Sequence, residues 1–157
     1  MIVRQVPAQE WQTARTARLL ALAGSPPGIF STLLEEAQTW DDAHWRQWFT
    51  TRTIFVAEDS SEVVGCAGGL HEDGLPLLVT MFVAPQARGT GVSVRLIEAV
   101  SEWARAAGHT ELRLWVMEGN TAAEKLYRRM GFTPTGDTRD TKGSHSAPEY
   151  RMSRALR

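Results

Sequence analysis

Residues 79–93 read Val79-Thr80-Met81-Phe82-Val83-Ala84-Pro85-Gln86-Ala87-Arg88-Gly89-Thr90-Gly91-Val92-Ser93, an apolar strand that runs through a glycine turn into the start of a helix. Gly89 and Gly91 remove side chains where a ligand would touch backbone. A helix opening there turns its unpaired N–H groups, and the positive end of its dipole, toward an anion held in the turn. The arrangement suits a diphosphate. Alone it is weak evidence, because most glycine turns before helices hold nothing.

A second strand-to-helix unit follows over residues 112–132. Leu112, Leu114 and Val116 alternate with Arg113, Trp115 and Met117, the period-two pattern of a strand with two unlike faces. Asn120 stands at the cap of the next helix. That helix has an apolar side of Ala122, Ala123, Leu126, Tyr127 and Met130, and a wet side of Glu124, Lys125, Arg128 and Arg129. Gly131 stops it and Phe132 packs back on its last turn, an ordinary helix ending that needs no functional cause.

In this order the two units resemble the GCN5-related N-acetyltransferase family. Its acetyl-CoA signature is Gln or Arg, two residues, Gly, one residue, then Gly or Ala. Arg88 and Gly91 match, and Ser93 stands at the last position, where its hydroxyl can bond a phosphate oxygen or the helix backbone. The family's later signature is matched by Asn120, Ala123, Tyr127, Gly131 and Phe132. The resemblance is closest over 79–132.

The resemblance implies one domain over 1–157 of α/β (α+β) type. Its mixed central sheet would have six to seven strands, about four flanking helices, and a splay between the fourth and fifth strands. It implies acetyl-CoA as acetyl donor. The main chain of Met81, Phe82 and Val83 would bond the pantetheine arm, and Asn120 would reach it. Gly89, Thr90, Gly91, Val92, Ser93 and Val94 would hold the diphosphate, with Arg88 at the mouth. The implied reaction is direct transfer to a primary amine of a small molecule, peptide or protein in a ternary complex. Tyr127 would be the general acid for the thiolate, since a phenol of reference pKa about 10 is neutral at pH 7. The bland alternative makes Tyr127 the polar-tipped member of an apolar stripe.

A general base is less evident. The central strand offers Thr80 and Phe82, and the later one Trp115, so the candidates are Glu118, His71 and Glu72 at strand ends, or water. Without a base, a catalytically idle acyl-CoA-binding or sensing module stays in view. A nucleotide-phosphate enzyme is disfavoured, because no Gly-Lys-Ser or Gly-Lys-Thr follows the turn. The amine's pocket falls to 24–49 and 137–148, which match the family least.

Length and composition are those of a globular domain, as the resemblance implies. The chain has 157 residues, 43% of them apolar, and no apolar run approaching a membrane span. A net charge of -1 without a basic block argues against nucleic acid as partner. The first residues lack a secretion signal, so a cytoplasmic location is expected. The four histidines, His44, His71, His109 and His145, lack ligand spacing, and no metal is expected. Cys66 reads as a small buried strand residue. Trp40, Trp45 and Trp48 lie close beside Phe49, suiting a helix packed on the core or the wall of a substrate cavity. Monomer and homodimer both remain open.

Along the chain, strands are expected over 2–6, 53–58, 63–70, 75–83, 132–138 and 149–154 besides the one over 112–117. Helices are expected over 11–23 and 31–50, the second broken near Asp41 or Asp42, which would cap its continuation. A third, over 91–107, would bury Val92, Leu96, Val100, Trp103 and Ala107. Ser25-Pro26-Pro27-Gly28 breaks the chain, and a polar loop contains Lys142-Gly143-Ser144-His145-Ser146.

Overall fold

The computed structural model describes residues 1–25, 33–140 and 147–157. The expected loop at Lys142 to Ser146, and the Pro26-Pro27-Gly28 break, lie outside them. Strands β1 (Ile2–Gln5), β2 (Thr53–Asp59), β3 (Glu62–Glu72), β4 (Leu75–Val83), β5 (Glu111–Met117), β6 (Thr133–Arg139) and β7 (Glu149–Ala155) form one sheet in the order β1-β2-β3-β4-β5-β7-β6. Only the β4–β5 pair is parallel. The helices are α1 (Trp11–Ala23), α2 (Leu34–Ala37), α3 (Asp42–Thr50), α4 (Val92–Ala106) and α5 (Thr121–Arg129).

Local chemistry accounts for most of these boundaries. Ser60 and Ser61 close the β2–β3 hairpin with φ of 52° and 69°, and Asp73 and Gly74 close β3–β4 with 54° and 78°. Two successive positive φ values are what a two-residue turn needs to follow the twist of its strands. Asp41 starts α3, its side chain accepting from His44 N–H at 2.8 Å. Trp45 and Phe49 bury on the core from α3, whereas Trp40 and Trp48 are half-buried.

Small residues set how closely helices approach the sheet. Ala14, Ala17 and Ala21 of α1 are fully buried, and the Cys66 sulfur of β3 lies 3.8 Å from the Ala17 carbonyl oxygen while its thiol donates to the Thr80 carbonyl at 3.2 Å. On the opposite face, a Cβ at Gly69 would lie 2.4 Å from the Trp103 ring of α4. Glycine there lets a large indole lie against the strand. The buried stripe of α4 ends sooner than expected: Trp103 is half-buried, and Ala107 is exposed beyond the helix end. Ala104 is the last buried residue of the helix.

One irregularity opens the sheet. Phe82 stands opposite Cys66 and Val79 opposite Gly68, so Thr80 and Met81 together face Ala67. This β-bulge puts Thr80 at a φ of 54°, a strained value for a β-branched residue. β4 and β5 pair at Leu77 opposite Arg113 and nowhere further along. Toward Val83 and Met117 they have parted, the splay expected between the fourth and fifth strands. Among the described residues no helix is long and apolar enough to cross a membrane, and no three His, Cys, Asp or Glu side chains gather as a metal group.

Candidate active site

The turn between β4 and α4 presents backbone to open space. Gly89 and Gly91 have φ of 78° and 82°, and a Cβ added at either would meet nothing within 4 Å. Gly91 caps α4 without a side-chain bond, and the first helical bond runs from Arg95 N–H to the Gly91 carbonyl at 3.2 Å. The N–H groups of Val92, Ser93 and Val94 therefore precede the helix's own bonding and remain available to an anion. Arg88 Nε donates to the Val83 carbonyl at 3.1 Å, tying the mouth of the turn to the end of β4. Thr90 Oγ1 donates back to the Ala87 carbonyl at 2.5 Å.

A cavity of about 370 Å³ runs from this turn along the splay. Met81, Phe82, Val83, Arg88, Gly89, Gly91, Val92, Ser93, Asn120 and Tyr127 line it, with Ala122, Ala123 and Leu126 of α5 and Gly24 and Ser25 beyond α1. Thr90 and Val94 are not in its wall. Much of the apolar side expected to bury α5 instead faces this space: Ala122 is exposed, and Ala123 and Leu126 are half-buried.

Asn120 occupies the cap position of α5, but its side chain makes no capping bond. Glu124 reaches back instead, its Oε1 accepting from Gly119 N–H at 3.2 Å. That bond ties the residue before the cap to the helix, and Asn120 itself lies on the cavity wall. Tyr127 is the only buried residue of α5. Burial pushes its phenol up to about 12, which keeps it neutral across the physiological range. Its ring meets Phe132 edge to face.

None of the three candidate bases lines the cavity. Glu72 accepts from Trp115 Nε1 at 3.0 Å and lies 3.7 Å from Arg139. His71 Nε2 is 3.1 Å from His109 Nε2, and Glu118 is exposed past the end of β5. Cys66 is buried, its thiol pushed up to about 12 by burial.

Sequence reasoning missed Arg18. It sits on α1 among buried Ala14, Ala17, Ala21 and Leu22, and only 6% of it is exposed. Its Nη1 lies 3.4 Å from Thr80 Oγ1 at the bulge. Burial first, then the nearby Arg52, push its guanidinium down to about 10. A charge at a core position of an otherwise apolar stripe was the signal available.

The model of the acetyltransferase (GNAT) family matches residues 19–132. The chain belongs to the acetyltransferase (GNAT) family. An L-methionine sulfoximine/L-methionine sulfone acetyltransferase of Pseudomonas aeruginosa is 31% identical over 131 residues, which cover 75% of this chain and 74% of that one. The chain spans 35%, 62% and 74% of the lengths of the first curated relatives it matches. Among solved GNAT structures, the acetyltransferase from Streptococcus pneumoniae superposes with a TM-score of 0.78 at 17% identity, covering 99% of each chain. A GNAT family acetyltransferase from Elizabethkingia anophelis with acetyl-CoA bound superposes with a TM-score of 0.59 at 17% identity, covering 74% of this chain and 84% of that one. At such identities these GNAT structures speak for the fold.

Proposed function

We propose that the protein is an acetyl-CoA-dependent N-acetyltransferase that transfers acetyl directly to a primary amine. The observation that carries this reading is the continuity of one cavity from the glycine turn, past the bulged end of β4, to the Tyr127 ring. The residues fit the donor: positive-φ glycines leave backbone bare at a helix N-terminus, and β4 beyond Leu77 lacks a β5 partner.

When bound, acetyl-CoA supplies the acetyl group as an activated thioester. The N–H groups opening α4 and the Arg88 guanidinium hold its diphosphate. The main chain of Met81 to Val83 bonds the pantetheine arm as a missing strand would, and Asn120 bonds it from the α5 side. As the amine nitrogen bonds the carbonyl carbon and the C–S bond opens, the Tyr127 hydroxyl gives its proton to the sulfur. The nitrogen then releases its surplus proton to water, and a proton from water restores the phenol. No step needs a metal or an enzyme-bound acyl group.

The described wall of the cavity holds no carboxylate or imidazole, which favours a second reading, an idle acyl-CoA sensor. A panel of amines assayed for thiol release from acetyl-CoA separates the two. The name of the Pseudomonas aeruginosa relative places small-molecule amines first in that panel. Release with matching N-acetylated product supports the enzyme; binding of acetyl-CoA with no release by any amine supports the sensor.

A further inference from the structure

Thr80 is held in a conformation it would not adopt by itself. A φ of 54° is an outlier for a β-branched residue, and such strain persists only where the surroundings over-determine it, most often beside a site that uses it. Two contacts grip the residue. Arg18 Nη1 of α1 lies 3.4 Å from Thr80 Oγ1, and the Cys66 thiol of β3 donates to the Thr80 carbonyl at 3.2 Å. All three residues are buried. The same helix is fitted to the strand further on, where a Cβ at Gly24, past the end of α1, would lie 2.4 Å from the Phe82 ring.

The grip matters because of the residue that follows. A bulge leaves one residue without its ladder partner, and on its other edge β4 meets β5 at Leu77 and not beyond. Met81, the second residue of the bulge, lines the cavity, whereas Thr80 and Arg18 are not in its wall. Side-chain contacts on the α1 side therefore set the main chain on the cavity side. A main-chain donor with no strand to bond suits the carbonyl oxygen of a thioester, on which charge grows as the amine attacks.

We infer that Arg18 is a positioning residue: through Thr80 it holds the β4 bulge in the geometry that lets the Met81 main chain bond the acetyl carbonyl. The inference deepens the acetyl-transfer reading and rests on it. Arg18 acts from outside the cavity wall, and the Cys66 thiol holds the same residue by its carbonyl. Two consequences follow from acting through Thr80. Deleting the Thr80 hydroxyl does what deleting the guanidinium does, and a residue that takes a φ of 54° without strain needs neither.

The test titrates the intact chain calorimetrically with acetyl-CoA and with S-ethyl-CoA, which keeps both carbons and lacks the carbonyl oxygen. Wild type should bind acetyl-CoA about 2- to 10-fold more tightly, the worth of one hydrogen bond. Arg18→Gln and Thr80→Val should each bring that ratio to about 1 with S-ethyl-CoA affinity unmoved, and the double variant should go no further. Thr80→Gly in the Arg18→Gln background should restore the ratio, because glycine takes the bulge conformation freely. A merely structural arginine would weaken both ligands alike. Should Arg18→Gln fail to fold, Thr80→Val decides, since it deletes one hydroxyl and keeps the β-branched shape. A ratio that is 1 in wild type, that survives Arg18→Gln or Thr80→Val, or that Thr80→Gly fails to restore overturns the inference, and thiol release by an amine in the same protein leaves the acetyltransferase reading standing. Failure of wild type to bind acetyl-CoA overturns both.

Discussion

The rings of Tyr127 and Phe132 meet at 63° with centroids 5.7 Å apart, and the Phe132 N–H donates to the Tyr127 carbonyl at 2.9 Å. Both contacts depend on Gly131, whose φ of 92° turns the chain back onto α5. An ordinary helix ending thus fixes the rotation of the phenol on the cavity wall. Phe132→Ala removes a side chain that is 1% exposed. It should cost about 3–5 kcal/mol of stability, read from urea unfolding, and should lower turnover more than acetyl-CoA affinity because the phenol loses its support.

Gly91→Val should leave a folded protein that no longer binds acetyl-CoA. The added side chain meets open space within the structure, so the clash arises only with a ligand in the turn. The positive φ adds about 1–2 kcal/mol of strain. Calorimetric titration beside an unfolding curve checks both, and unchanged affinity in the folded variant would show that the diphosphate lies elsewhere.

Arg88 is exposed and bonded to the Val83 carbonyl. Its replacement by alanine should weaken acetyl-CoA binding by up to about fivefold at low salt, as an exposed ionic contact worth about 0.2–1 kcal/mol does. The difference should shrink as salt is added. A loss independent of salt would point instead to a shift of the β4 end.

Alkaline stability carries a signature of Cys66. Its folded pKa is raised from 9.0 to about 12 by burial, so the folded protein keeps a proton that the unfolded chain releases. That contribution is complete below pH 9 and is lost as pH climbs toward 12. Arg18, lowered to about 10, acts in the opposite sense but only from about pH 10 upward. Between pH 9 and 10 the wild type should therefore lose about 1 kcal/mol more stability than Cys66→Ala, measured as the change in urea unfolding free energy. Parallel slopes for the two proteins would contradict the buried-thiol account.

What could be read in advance was local. Gly89 and Gly91, and the run from Asn120 through Tyr127 to Phe132, lie within single strand-to-helix units whose geometry follows from neighbouring residues. What could not be read depends on distant partners. Nothing next to Thr80 asks a β-branched residue for positive φ; the bulge comes from its register against Cys66 and Gly68 on β3. Arg18 meets that bulge across 62 positions of sequence. Asn120 has the residue type of a cap, yet its side chain makes no capping bond, while Glu124, one turn on, accepts from the Gly119 N–H that precedes it. The stripe of α5 shows an apolar face without showing whether protein or a cavity covers it.

Tyr127→Phe tests the central claim most directly. Tyr127 lines the cavity, burial holds the phenol neutral with its pKa pushed up to about 12, and the substitution deletes one oxygen while keeping the ring on Phe132. Turnover on a confirmed amine should fall by about 10²- to 10⁴-fold, toward the low end for a thiolate leaving group. Acetyl-CoA affinity should hardly move, because the lost interaction belongs to the transition state. Full turnover by Tyr127→Phe would contradict the account and assign protonation of the thiolate to water.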